Sequence, residues 1–324
     1  LAGTYDALSK ELAELAVKVK GAFETYLIQD GVVAGFLMHG DEIRCMLHPN
    51  DQETGIRYRL LPMTRSIIAE LVDPAQAGEN VRLIQEKLKC PDGVRLMDKP
   101  ASYTGGTSKL FLRAEQAANV GREISLQYTH AHIRYIEAMA KLGLGQEAWD
   151  SLFVINPMLI QESVPNAVIR QSNLYFSSSE GAYKDRYEYA EKFHLLASGS
   201  IPVKGGWRLY SSGPGIYTNQ LVSSVLGIRI CAEGMILDPV IPQKLDGLRF
   251  EYTCFGRKFT FIYRTGTGEA LRAVSNGVVL EGAACVNPYR RGGLLLDRNY
   301  IVESVAQGGQ TPANSFVADG MADT

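Results

Sequence analysis

The chain has 324 residues, room for one large domain or two ordinary ones, and its 46% hydrophobic and 21% charged content gives a globular composition with ample core. A formal net charge of −2 leaves no electrostatic footprint for nucleic acid or an anionic membrane surface. No apolar run reaches membrane-spanning length, and the opening LAGTYDALSKELAELAVKVK lacks the basic leader and apolar core of a secretion signal.

Taken in order, residues 4–24 are expected to be a helix, with Leu8, Leu12, Leu15, Ala16 and Val19 on one stripe. A helix starting at once, without an initiator Met, suggests a chain cut from something larger. Residues 25–60 look irregular, punctuated by Gly31, Gly35, Gly40, Pro49 and Gly55. Helical patterns return at 62–71 and 75–89, where Pro74 fits a helix start. The loop Tyr103-Thr104-Gly105-Gly106-Thr107 precedes helices near 110–120 and 123–142, and a helical turn covers 146–152. Residues 155–181 read as a long loop, followed by helices near 182–196 and 214–226. In the last of these Pro214 suits the first helical position, with Ser212 or Gly213 at the cap and Gly227 as the stop.

After Gly227 the period changes. Leu248–Tyr252, Lys258–Tyr263 and Val278–Glu281 read as strands, with Phe255-Gly256-Arg257 as a hairpin connection. Helices followed by strands argue for an all-α part joined to a small β-sandwich. The small polar residues from about Gly308 are expected to form a disordered tail. Cys45, Cys90, Cys231, Cys254 and Cys285 lack Cys-x-x-Cys spacing and read as reduced thiols of a cytoplasmic protein, not as disulfides or a metal site.

Several places could carry chemistry. On a helix over 123–142, Glu123, Gln127, His130 and Arg134 fall on one stripe, which Glu137 and Lys141 extend. Such a stripe is either a solvated surface or the lining of a polar cavity. Tyr128, His132 and Tyr135 occupy the other faces and favour an enclosed helix. Ser211-Ser212-Gly213-Pro214-Gly215 places hydroxyls and glycines at a helix N-terminus, a seat for a phosphate-like anion or an ordinary cap. His48-Pro49-Asn50-Asp51 reads as a structural loop histidine, since no second ligand set stands at metal spacing. Arg170–Asn173 and Ser177–Ser179 could bond sugar hydroxyls, Arg208 an anion or sugar, and Trp207, Tyr210 and Tyr217 could stack on a glucose ring or sit in the core. Neither a Gly-x-Ser-x-Gly elbow nor a dinucleotide glycine motif is present.

RLLPMTRSII (59–68), PDGVRLMDKP (91–100), RAEQAANVGREISLQYTHAHIRYIEAMAKLG (113–143), RQSNLYFSSS (170–179) and GGWRLYSSGPGIYTNQLVSSVLGIR (205–229) together resemble glycoside hydrolase family 94. These are the inverting disaccharide and oligosaccharide phosphorylases, and the branch most similar acts on 1,2-β-oligoglucans. The resemblance implies an (α/α)6 toroid followed by a jelly-roll-like β-sandwich. Residues 1–232 would be the later part of the toroid and 233–324 part of the β domain with its disordered tail. It implies that His130, in Gln127-Tyr128-Thr129-His130, contacts phosphate. Ser212-Gly213, ahead of Leu226-Gly227-Ile228-Arg229, stands where the family has a Thr-Gly phosphate element. Glu123, Gln127, Tyr128 and Arg208 would shape the sugar or phosphate site.

The family's general acid is an Asp in a Gly-Asp-Trp segment, and Gly40-Asp41-Glu42 lacks the Trp. The acid, and a further phosphate-binding Arg, are therefore expected outside these residues, in an upstream part of the same enzyme or a second chain. The implied activity is phosphorolysis of β-1,2-linked gluco-oligosaccharides to α-glucose 1-phosphate, with inorganic phosphate as co-substrate, no organic cofactor, and a homo-oligomer allowed. Two other readings stand beside it: the phosphorylase-like C-terminal part of a cyclic β-1,2-glucan synthase, and a carbohydrate-binding or assembly subunit without catalysis.

Overall fold

A computed structural model describes residues 2–101, 125–169, 176–207, 212–266, 271–275, 278–301 and 314–319. The chain divides into one unit of Leu1–Arg134 and Pro157–Leu209 and another of Tyr135–Asn156 and Tyr210–Thr324.

The first unit opens with the expected helix, α1 (Ala2–Ala22), prolonged by a π-helical turn over Phe23–Leu27. The apolar stripe of α1 lies on the surface, with Leu8, Leu12, Leu15 and Val19 each about half exposed. The region expected to be irregular contains a small antiparallel hairpin, β1 (Phe36–His39) and β2 (Ile43–Met46), closed across Gly40-Asp41-Glu42. Helices α2 (Leu60–Ile68) and α3 (Pro74–Lys87) follow as expected. The Asp73 carboxylate caps α3 by accepting from the Gln76 N–H at 2.7 Å, and Pro74 stands where its missing N–H costs nothing. Buried Asn80 on α3 donates to the Met63 carbonyl at 3.3 Å and to Ser66 Oγ at 3.2 Å, tying α3 to α2.

A two-residue turn at Pro91-Asp92 joins β3 (Lys89–Cys90) to β4 (Gly93–Val94). Strand β5 (Gln127–Tyr128) then runs directly into α4 (Thr129–Leu142), and α5 (Gly145–Phe153) follows. The expected helix over 123–142 is thus shorter at its start. The main-chain groups of Gln127 and Tyr128 face Ser179 and Ser178 of β6 (Phe176–Gly181), a ladder that a helix cannot share. Beyond β6 come α6 (Arg186–Lys192) and β7 (Val203–Trp207). Strand β6 is the centre of a three-stranded antiparallel sheet in the order β5-β6-β7. The loop expected over 155–181 therefore ends in a sheet strand, and the helical part is not all-α.

The second unit holds the rest of α4, with α5 and α7 (Ser212–Gln220), which continues as a π-helical turn over Leu221–Val225. Its strands are β8 (Ile228–Ile230), β9 (Gly234–Leu237), β10 (Arg249–Cys254), β11 (Arg257–Arg264), β12 (Arg272–Ser275), β13 (Val278–Leu280), β14 (Ala283–Ala284), β15 (Leu294–Asp297) and β16 (Asn314–Asp319). One sheet has the order β8-β9-β15-β14, the other β10-β11-β16-β12-β13, and only the β11–β16 pair is parallel. The expected hairpin forms between β10 and β11, where Phe255 and Gly256 both take positive φ, 50° and 71°, as a two-residue turn of the primed kind requires.

The tail expected to be disordered contains a correction. Residues Asn314–Asp319 form a strand inserted between β11 and β12, with Phe316 opposite Phe261 on one side and Ser275 on the other. Without it β11 and β12 would each present an open row of backbone donors and acceptors. All five cysteines are free thiols.

Candidate functional site

The Gln127-Tyr128-Thr129-His130 segment changes from strand to helix in the middle. Its two strand residues are fixed by β6, and Thr129 and His130 form the first turn of α4. Gln127 is fully buried, and its carbonyl oxygen Oε1 accepts from Thr129 Oγ1 at 3.3 Å. The amide Nε2 of Gln127 meets no acceptor among the described residues, an uncommon state for a buried donor. His130 is half-buried, with its ring 5.3 Å from that of Tyr128 and tilted by 41°. Burial, aided by the nearby Arg134 charge, lowers its pKa from the ordinary histidine value. Its protonation is thereby disfavoured, and the neutral imidazole offers one N–H donor.

The stripe expected from helical spacing is not formed as such. Gln127 belongs to a strand, so it does not continue the α4 face that carries His130 and Arg134. Glu123 and Arg208 lie outside the described residues, as do Arg170–Asn173 and Tyr210.

The structure separates the two histidines that the sequence could not. His132 is 1% exposed, and its Nδ1 accepts the Val94 N–H at 3.2 Å, which places the neutral ring's proton on Nε2. It is a core histidine, whereas His130 keeps an accessible edge. His48 is likewise structural, as expected: it is fully buried, its Nε2 lies 2.9 Å from the Gln29 carbonyl, and its Nδ1 accepts the Asn50 N–H at 3.1 Å. No group of three potential metal ligands exists among the described residues.

A buried ionic cluster that sequence reasoning missed lies beside the Gln127–His130 segment, in the same unit. Arg95, with a side chain 1% exposed, donates from Nη2 to both oxygens of Asp92 at 2.9 and 2.8 Å. Its Nη1 donates to the Ser179 carbonyl at 3.0 Å and to Glu180 Oε1 at 3.1 Å. Burial pushes the Glu180 carboxyl up, against the opposing pull of Arg95. Ser177 and Ser179, considered above as sugar contacts, are buried in β6 instead.

In the second unit, α7 begins at Ser212. Ser212 is therefore the first helical residue rather than the cap, and Pro214 is the third, still within the turn whose N–H groups have no helical acceptor. Gly213 is buried. Further along, Gly227 takes φ +70°, and a Cβ there would lie 2.2 Å from the Asp238 carbonyl carbon, so the Leu226–Arg229 bend demands glycine. Arg229 donates to Asp238 at 3.0 Å. An open groove of about 780 Å³ beside α7 is lined by Thr218, Asn219, Ser223, Arg229 and Tyr252. The Tyr217 hydroxyl donates to the Leu152 carbonyl at 3.3 Å, and burial pushes its pKa up to about 12.

Comparison with known proteins gives two kinds of similarity. Residues 227–310 match the family model described as "Glycoside phosphorylase C-terminal domain". Over 296 residues, 90% of this chain, the sequence is 49% identical to 1,2-beta-oligoglucan phosphorylase of Listeria innocua serovar 6a. A second relative, the cyclic beta-(1,2)-glucan synthase NdvB of Rhizobium meliloti, is 24% identical over 226 residues, or 69% of this chain. The chain spans 27% of the first relative's length and 7% of the second's. The resemblance read from the motifs thus extends across nearly the whole chain.

Proposed function

We propose that this chain is the C-terminal part of an inverting, cytoplasmic phosphorylase of β-1,2-linked gluco-oligosaccharides. The observation that carries the reading is the 49% identity, over 90% of the chain, to a protein named for that activity. In this reading residues 1–232 are the later part of an (α/α)6 toroid and 233–324 belong to a jelly-roll-like β-sandwich.

The chemistry follows from inversion. A phosphate oxygen attacks the anomeric carbon from one face of the sugar while a carboxylic acid on the other face protonates the departing glycosidic oxygen. The C–O bond to the leaving sugar breaks as the C–O bond to phosphate forms, giving α-glucose 1-phosphate. His130 donates a hydrogen bond to phosphate from its accessible edge. The resemblance makes Ser212 and Gly213 a second phosphate element, and the first turn of α7 that holds them carries free N–H groups and the positive end of a helix dipole. Glu123, Gln127, Tyr128 and Arg208 bound the sugar and phosphate positions, and the buried Gln127 amide supplies a donor still lacking an acceptor among the described residues. The acid Asp is supplied by a part of the enzyme outside this chain. No organic cofactor takes part.

The test is phosphate-dependent release of α-glucose 1-phosphate from β-1,2-glucan by the full-length protein. His130→Ala is expected to lower kcat/KM for phosphorolysis about a hundredfold or more. Absence of glucose 1-phosphate with the wild-type protein would sink the reading. The relative named as a cyclic glucan synthase supports a second reading, in which the chain is the phosphorylase-like C-terminal part of a cyclic β-1,2-glucan synthase. Glucan chain growth or cyclisation by the full-length protein would favour it.

A further inference from the structure

The 92–96 segment reaches the residues around Gln127–His130 at several buried points. The Val94 N–H donates to His132 Nδ1 at 3.2 Å, and the Leu96 N–H donates to the Leu126 carbonyl at 3.0 Å. Between them, the Arg95 guanidinium reaches across to the Ser179 carbonyl at 3.0 Å, and Ser179 is the residue opposite Gln127 in the β5–β6 ladder. The far side of the strand is held through Glu180. Its Oε1 accepts from Arg95 at 3.1 Å, and its Oε2 accepts from the Tyr189 hydroxyl at 3.2 Å. The single phenolic proton of Tyr189 is thereby used, so the Ser125 hydroxyl is the donor in the 2.6 Å contact between Ser125 Oγ and Tyr189. Ser125, Tyr189, Glu180, Arg95 and Ser179 form a hydrogen-bonded circuit that closes only through main chain, since Ser179 pairs with Gln127 and Ser125 lies two residues before Gln127.

Stability alone does not account for this circuit. Burying a guanidinium and two carboxylates forfeits the hydration of three charges, and apolar side chains of the same volume often serve a core as well or better. An arginine fork offers fixed geometry instead. Its planar donors take both oxygens of Asp92 and still aim at Glu180 and Ser179. Gly93 completes the brace: at φ +113° it has no Cβ, and one built there would lie 2.8 Å from His132 Nδ1 and 3.3 Å from Gln127 Cγ.

We propose that Arg95, oriented by Asp92 and Glu180, is a positioning residue that sets where Gln127 and His130 present their donors to phosphate. The inference rests on the phosphorylase reading above. Arg95 acts through Ser179 and the β5–β6 pairing on one side, and through Glu180, Tyr189 and Ser125 on the other.

The experiment uses the full-length enzyme with inorganic phosphate and a β-1,2-linked gluco-oligosaccharide, each varied at saturating levels of the other. Two variants are compared with wild type: Arg95→Lys, which keeps the charge but loses the fork, and Tyr189→Phe, which opens the circuit with little change in volume. Both are expected to raise KM for phosphate, by about ten- to a hundredfold for a misplaced donor, and to raise it about tenfold more than KM for the oligosaccharide. Thermal midpoints report folding, and if Arg95→Lys does not fold, Tyr189→Phe decides alone. Folded variants with the wild-type KM for phosphate would overturn the inference, as would equal changes for both substrates. A wild-type enzyme without phosphorolysis removes the reading itself, an outcome distinct from a normal wild type with unaffected variants.

Discussion

Nδ1 of His132 accepts the main-chain N–H of Val94 across 3.2 Å of sealed core. Two residues earlier, His130 keeps part of its ring accessible. The same helical turn thus uses one histidine as a fastener and leaves the other partly accessible.

Replacing the fastener tests that division. His132→Phe strands the Val94 N–H in the core, and an unsatisfied buried donor costs about 1–3 kcal/mol. Equilibrium denaturation of the full-length protein is expected to show this loss, whereas His130→Ala is expected to act mainly by weakening phosphate binding. Calorimetric titration with phosphate separates the two. Wild-type phosphate affinity in His130→Ala would contradict the assignment.

Gly93→Ala introduces a methyl group where none fits. A positive φ of 113° and a contact of 2.8 Å to the His132 ring combine local strain with displacement of the fastener. The strained backbone alone costs about 1–3 kcal/mol. A fall in thermal midpoint with a weaker phosphate response is expected, and a neutral outcome would show that the 91–95 turn yields easily.

Acid should find a weak point at Asp51. Burial raises the pKa of this carboxyl, but the Thr54 hydroxyl and the N–H groups of Leu47, Thr54 and Glu53 outweigh burial and bring it below the ordinary value. A carboxylate whose folded pKa is lowered contributes stability above its unfolded pKa, about 3.9, and loses that contribution as pH falls through the folded value. Denaturation midpoints from pH 5 to pH 2 are expected to decline less in Asp51→Asn than in wild type. Parallel curves would assign the acid sensitivity elsewhere.

In the second unit Asp238 receives two arginines: Arg229 at 3.0 Å, and Arg290 at 2.8 and 3.1 Å. The carboxylate is buried and the Arg290 side chain is 12% exposed, so removing the anion strands a desolvated cation. Asp238→Ala is expected to cost about 3–5 kcal/mol, read as reduced soluble yield and a lower denaturation midpoint. Arg229→Ala, at the more exposed partner, should cost far less.

What could be read in advance was local. The Asp73-Pro74 helix start and the Phe255-Gly256 turn depend on neighbours in sequence, and both formed where their chemistry indicated. Helical spacing groups Gln127 with α4, but its strand is made by Ser179, a partner distant in sequence whose ladder overrides that spacing. Phe316 and Val317 stand among small polar residues, too short an apolar run to mark a strand until β11 and β12 offer an edge on each side. His130 and His132 differ only in what surrounds them, and Val94, which distinguishes them, lies 38 residues away. The Arg95 cluster was hidden for the same reason, since Asp92 is visible at close spacing but Glu180 and Ser179 are not.

Synthesis order bears on the second unit. The carbonyls of Ala140 and Lys141, at the end of α4, accept from Arg290 at 3.3 Å and from Asn287 at 3.0 Å, separations of 150 and 146 residues. At ribosomal rates of about 5–20 residues per second, these two long-range bonds wait roughly 7–30 s for their donors. A nascent chain arrested before Asn287 emerges carries α4 with an unfinished end, and closing so long a loop is the slow kind of event in folding. The end of α4 is therefore completed late, by the arrival of the segment around Asn287–Arg290, and a chaperone acting during that interval would meet it before those two donors exist.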